Sequence, residues 1–234
     1  MRARIRVLLY LGTVVVVLGV VTAAAWAAAE PIAASDNAFT GGSGGSAPTY
    51  TMNQGDKPFL TNNGPVNMHN VKANQVGPDS GPLFYSTVIA PGQQGPVHGA
   101  EYLSAGSYPF ICAIHPTEMQ GTLVVSSIGT PKPRPTAKLV LRTKTIAKAR
   151  KKGLLVSVDL STTAGSASLV AKLGQATIGK AHFNQDPHRP NPQTLLIKLT
   201  KAAKGKLRAK KTAKVSVTAS ILFGAPVTAT AKLK

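Results

Sequence analysis

The sequence predicts an all-β protein: two consecutive β-sandwich modules behind an N-terminal apolar helix. Short apolar or β-prone runs broken by Gly, Pro and Asn recur from residue 50 onward. Between residues 50 and 127 no window of twelve or more residues shows helical periodicity. The charge also changes sign along the chain. Residues 31–130 hold two Lys against five Asp or Glu, net −3, whereas residues 131–234 hold 22 Lys or Arg against two Asp, net +20. Two stretches so differently charged are most simply two modules with different surroundings.

Taken in order, Arg2, Arg4 and Arg6 precede the uncharged run Val7–Val21, which passes into alanine-rich sequence ending at Ala29. Basic, then apolar, then small residues is the order of a signal peptide cleaved before Glu30. The apolar stretch is also long enough to span a bilayer as an uncleaved anchor. Under either reading residues 1–29 deliver the remainder to an extracytoplasmic place, secreted or tethered to the cell membrane. Residues 30–49 contain Gly41-Gly-Ser-Gly-Gly-Ser46 and few large apolar side chains, so a flexible linker is expected there.

The first module, residues 50–127, offers candidate strands at Pro58–Thr61, Met68–Ala73, Phe84–Ile89, Gly106–Ala113 and Gly121–Ser126. Turn sequences such as Asn62-Asn-Gly-Pro65 and Pro91-Gly92 separate them. Pro131-Lys-Pro-Arg-Pro135 favours an extended spacer without strand donors, so residues 128–136 are expected to link the modules. Beyond it lie Ala137–Arg142, Leu154–Leu160, Ala167–Leu173, Thr177–Phe183, Thr194–Leu199, Ala213–Ile221 and Val227–Leu233. Seven candidate strands in about 100 residues match the density of an immunoglobulin-like sandwich. The Lys- and Ala-rich stretch 200–211 suits one or two helical turns, against which Gly205 counts.

The chemistry concentrates in Tyr108-Pro-Phe-Ile-Cys-Ala-Ile-His-Pro-Thr-Glu-Met119, where a thiol, an imidazole and a thioether fall within eight residues. The chain has one cysteine, which excludes an internal disulfide and leaves Cys112 as a small buried apolar residue, a link to another chain, or a metal ligand. His115 sits where a strand would give way to a loop, and Pro116 stops that strand. Met119 suits either core filling or weak axial ligation. His69 adds a second imidazole from a distant segment. Thiolate, two imidazoles and a thioether are the donor set of a type 1 copper site.

On these residues the stretch from 50 to 126 resembles the cupredoxins of the plastocyanin, pseudoazurin and amicyanin group. The matching elements are His69-Asn70, Tyr108-Pro-Phe-Ile-Cys112, His115-Pro116, Met119 and the closing run Gly121-Thr-Leu-Val-Val125. The resemblance implies a Greek-key β-sandwich, one copper ion on His69, Cys112, His115 and Met119, and Asn70 bracing the ligand loops. Three residues separate His115 from Met119, where plastocyanin-like loops have four and amicyanin-like loops two, so Glu118 and Gln120 are rival oxygen donors. His98 is expected in a polar loop, and His182 and His188 carry no ligand spacing. The basic module only weakly resembles sandwich modules appended to secreted bacterial proteins.

A filled four-ligand site leaves no open position for substrate, so the expected role is single-electron transfer to redox partner proteins at the outer membrane face, not enzymatic catalysis. Copper delivery and a purely structural place in the cell envelope are the alternatives. The basic module has few aromatics for stacking on bases, which speaks against nucleic acid. Its positive charge suits an anionic cell-wall polymer or lipid surface instead.

Overall fold

A computed structural model describes residues 29–162 and 165–234. The expected signal or anchor helix therefore lies outside the described residues, apart from Ala29. Among those described, no helix is long and apolar enough to cross a membrane.

The first module is built from β1 (Ile32–Ser35), β2 (Ala38–Thr40), β3 (Thr49–Gln54), β4 (Phe59–Asn62), β5 (Lys72–Ala73), β6 (Tyr85–Ser86), β7 (Gln94–His98), β8 (Gly106–Ile111) and β9 (Gln120–Gly129). The expected sandwich is, by hydrogen bonding, one curled sheet in the order β2-β1-β4-β7-β6-β5-β8-β9-β3, because β6 pairs with β7 across what would be the seam. Curling brings β2 next to β9. Two aromatic contacts hold the closure. The Phe39 ring on β2 meets Phe110 on β8 edge-on at 5.0 Å between centroids, and the buried Tyr50 hydroxyl on β3 donates to the Thr40 carbonyl at 2.7 Å. Burial pushes the Tyr50 phenol well above its ordinary pKa, which keeps that donor protonated. Phe110 also lies over Gly121, its cross-strand partner on β9, where an added Cβ would stand 2.6 Å from the ring.

The segment 30–49 is not the flexible linker expected of it. Its strands β1 and β2 place Ile32, Ala34 and Phe39 in the core, and β1 pairs in parallel with β4. The Gly-rich run is a compact connection, with Gly41, Gly42, Gly44 and Gly45 all at positive φ and Ser43 bridged to Thr49. Expected strands 68–73 and 84–89 shorten to β5 and β6, with His69 and Ile89 joined by an isolated bridge. His98 lies on β7 instead of in a loop, and Pro96 occupies a ladder position opposite Phe59.

The second module places a three-stranded sheet, β10 (Ala137–Leu141), β11 (Leu154–Leu160) and β14 (Gln193–Ile197), with a four-stranded one, β12 (Ser166–Leu173), β13 (Ala176–Asn184), β15 (Ala213–Ile221) and β16 (Val227–Leu233). All seven expected strands are present. Alternating residues such as Val215, Val217, Ala219 and Ile221 of β15 point into a shared core with Leu154, Val156 and Val158 of β11. Two short helices close its edges. α1 (Ile146–Lys152) starts at Thr145, whose side chain accepts from Lys148 N–H, and α2 (Lys201–Arg208) starts at Thr200, capping Ala203 N–H. α1 was not expected, since its lysine-rich tail hides the buried pair Ile146 and Ala149.

The proline-rich segment 131–136 has no regular structure, yet it is fixed to both modules. Lys132 N–H donates to the Glu101 carbonyl at 2.9 Å. Arg134 donates to the Phe223 carbonyl at 3.1 Å and lies over the Tyr102 ring. Phe223, in the loop after β15, sits at φ +60, a left-handed conformation disfavoured for a bulky side chain. Its N–H donates to the Asp79 carboxylate at 2.8 Å, and its ring packs between Tyr85 and Tyr102. Gly99 gives it room: a Cβ there would stand 2.6 Å from the Phe223 ring.

Phe223→Ala should therefore cost about 3 kcal/mol, the lower end for truncating a buried phenylalanine, and split one urea transition into two. A single unshifted transition in the variant would show that the junction couples nothing.

Candidate metal centre

β8 ends at Ile111, and Cys112 follows at the first position beyond it. The loop then turns back on itself. Cys112 N–H donates to the Met119 carbonyl at 3.0 Å, and Met119 N–H to the His115 carbonyl at 2.9 Å, before β9 begins at Gln120. On the other segment, His69 exchanges both backbone hydrogen bonds with Ile89, at 3.1 and 2.7 Å. Ala113 N–H joins the segments by donating to the Asn70 side-chain oxygen at 2.7 Å.

This arrangement brings His69, Cys112 and His115 together, with one ligand atom from each lying within 4.8 Å of the others. The Cys112 sulfur is 3.8 Å from His115 Nδ1, and the two imidazole centroids are 5.2 Å apart. His69 and Cys112 are fully buried, whereas His115 is half-buried. Neither ring nitrogen of His69 has a hydrogen-bond partner among the described residues. A buried imidazole left unpaired at both nitrogens costs free energy that a bound metal ion would offset. Burial, then the neighbouring His115, holds its pKa below the ordinary 6.5, so the neutral, ligating form is favoured.

Met119 is fully buried, and Glu118 and Gln120 on either side of it are exposed. Met119 is thus the inward-facing side chain of the loop's returning end. The other histidines stand apart. His98 faces Tyr85 at 6.2 Å, while His182 and His188 are exposed on the second module.

Sequence reasoning missed Asn62. It is fully buried at the end of β4, and its amide donates to the Asn67 carbonyl at 2.8 Å and the Ile89 carbonyl at 3.0 Å, while its oxygen accepts from Gly64 N–H. The Ile89 carbonyl is the group that also receives His69 N–H, so Asn62 positions the His69 backbone from behind. Asn62-Asn-Gly-Pro reads as a turn, and nothing in that pattern marks the first Asn as a strut.

No protein-family model matches the chain, and no curated protein matches it. Among solved structures, an oxidised methionine-to-leucine variant of amicyanin is 18% identical, with 42% of this chain and 81% of that chain covered and a TM-score of 0.33. An oxidised proline-to-alanine variant of amicyanin is 24% identical, with coverage of 34% and 70% and a TM-score of 0.28. A purple cupredoxin from Nitrosopumilus maritimus is 26% identical, with coverage of 33% and 77% and a TM-score of 0.27.

Two outcomes follow from the site itself. Asn70→Ala leaves the Ala113 N–H without its acceptor and should lower the stability of the metal-free protein by about 1–2 kcal/mol in urea denaturation. In an NMR titration of the metal-free protein, His69 should protonate below pH 6.5. A depressed folded-state pKa means its contribution is intact above the unfolded value and lost as pH falls through the folded one. Protonation of His69 at or above 6.5 would refute that ordering.

Proposed function

We propose that His69, Cys112 and His115 hold one copper ion, with Met119 as the weak fourth donor, and that the protein passes single electrons to and from redox partner proteins outside the cytoplasmic membrane. The observation that carries this reading is the convergence of the only thiol in the chain with a buried imidazole whose nitrogens have no hydrogen-bond partner among the described residues. Two imidazoles and a thiolate with a thioether satisfy Cu(I) and Cu(II) almost equally. Bound there, copper supplies one-electron chemistry by alternating between those states.

The residues around the site do the rest. The bridge between His69 and Ile89, the Asn62 strut and the Asn70 link hold the two ligand segments at a fixed separation, which limits rearrangement when the charge changes. The fully buried sulfur excludes water from the thiolate. His115 is the ligand that reaches the surface, and Ile114 and Pro116 beside it in the chain are exposed. An electron would enter and leave through the His115 ring against an apolar contact of the kind transient partners use. With its donors filled, the site has no position for a substrate, and the role is that of a carrier, not an enzyme.

Adding Cu(II) to the metal-free protein should produce an intense absorption band near ~600 nm, the mark of a thiolate–copper bond, and Cys112→Ser should abolish it. Met119→Gln exchanges a soft donor for a harder oxygen and should lower the reduction potential, measured by voltammetry, because oxygen favours Cu(II). A colourless protein that still binds one equivalent of copper would assign it to copper delivery instead.

A further inference from the structure

The outer face of the three-stranded sheet in the second module carries apolar side chains that the fold does not cover. Leu155 on β11 and Leu196 on β14 lie opposite each other in register and are 39% and 43% exposed. Their chain neighbours Leu154, Val156 and Ile197 point the other way and are buried in the core. A cleft of about 430 Å³ opens over the pair, edged by Arg142, Lys148 and Lys152.

The cleft is built by fixed backbone. Arg142 N–H donates to the Leu155 carbonyl at 2.8 Å, which ties the arginine to the cleft floor. Gly153, at φ +104, lies so close to β14 that a Cβ would stand 2.5 Å from the Ile197 carbonyl, so the turn from α1 into β11 accepts no side chain there. Lys148 and Lys152 are four residues apart on α1 and therefore share a helix face, where like charges repel. Among the described residues neither lysine nor Arg142 has an ion-pair partner. Lys198, the first residue past the end of β14, is exposed like Leu196 two residues before it. Of the two acidic residues in the module, Asp186 is paired with Arg189 and Asp159 is opposite Lys138 in the ladder.

We infer that this cleft is a docking site for a membrane surface rich in anionic phospholipid: the phosphates meet Arg142, Lys148 and Lys152, and the glyceryl and upper acyl carbons cover Leu155 and Leu196. A hydrophilic polyanion would meet the cations but leave both leucines in water. The occupant that satisfies the whole cleft supplies apolar surface and negative charge side by side. This inference is independent of the metal site, and either can fail without the other.

The test is sedimentation of the chain from Glu30 onward, which lacks the apolar segment that would enter any bilayer, with vesicles of phosphatidylcholine alone and of phosphatidylcholine with phosphatidylglycerol, and with soluble polyphosphate as competitor. The anionic vesicles should bind more tightly. The triple variant Arg142→Gln, Lys148→Gln, Lys152→Gln should lose that preference by about 100-fold, the combined effect of three cations near a charged surface. The double variant Leu155→Ser, Leu196→Ser, at exposed positions that keep the core intact, should weaken anionic vesicle binding without changing polyphosphate binding. Equal binding to both vesicle types, or a triple variant that behaves like wild type, overturns the inference. So does a leucine variant that binds anionic vesicles unchanged, which would make the surface a site for soluble polyanions.

Discussion

The hydrogen bond from Ala113 N–H to the Asn70 carboxamide spans 43 residues of sequence and connects the two segments that bring His69, Cys112 and His115 together. Each segment has its own support. His69 is laced to Ile89, which Asn62 holds from behind, and Cys112 continues the rigid strand β8. Without the Asn70 link these would be two ordered pieces with independent positions. With it, the sulfur and the nitrogens share one frame, and small displacements of either loop are resisted by the other.

That frame is an extension of the hydrophobic core. Cys112 and Met119 belong to the same cluster of buried side chains as Tyr50, Phe84 and Phe110. The aromatic closure that curls the nine-stranded sheet therefore also backs the site. A soft sulfur pair in dry surroundings is stabilised by the packing that stabilises the fold, and the Glu118 carboxylate, on an exposed stretch, has no such backing. The site and the core cannot be altered independently.

How much of this was legible beforehand depended on what the pattern had to encode. Strands of the second module alternate apolar and polar residues along nearly their full length, as in Ala213–Ile221, and sequence reading located all seven. In the first module the strands are short and interrupted, and β7 includes Gly95 and Pro96, residues that ordinarily mark the absence of a strand. Residues 32–40 were unreadable for another reason: Ala33 and Ala34 form β1 because β4 lies alongside, a long-range pairing with no local trace. His69, Cys112 and His115 could be named because their chemistry is rare. Asn62 could not, because a buried strut and a turn residue are the same letter until the carbonyls around it are placed.

The module junction determines how the molecule moves. Phe223 crosses from the second module to the first directly, its ring seated between Tyr85 and Tyr102 and its N–H held by Asp79, while the proline-rich connection is tied to the second module through Arg134 and to the first through Lys132. Two beads on a loose string would tumble separately and present their faces in every combination. Here the contacts at Phe223 and along the linker oppose such independent rotation, and they lie between the end of the first module that carries Tyr85 and Tyr102 and the loop after β15. A surface that holds one module therefore narrows the bearings open to the other, and an encounter partner meets fewer combinations of the two faces.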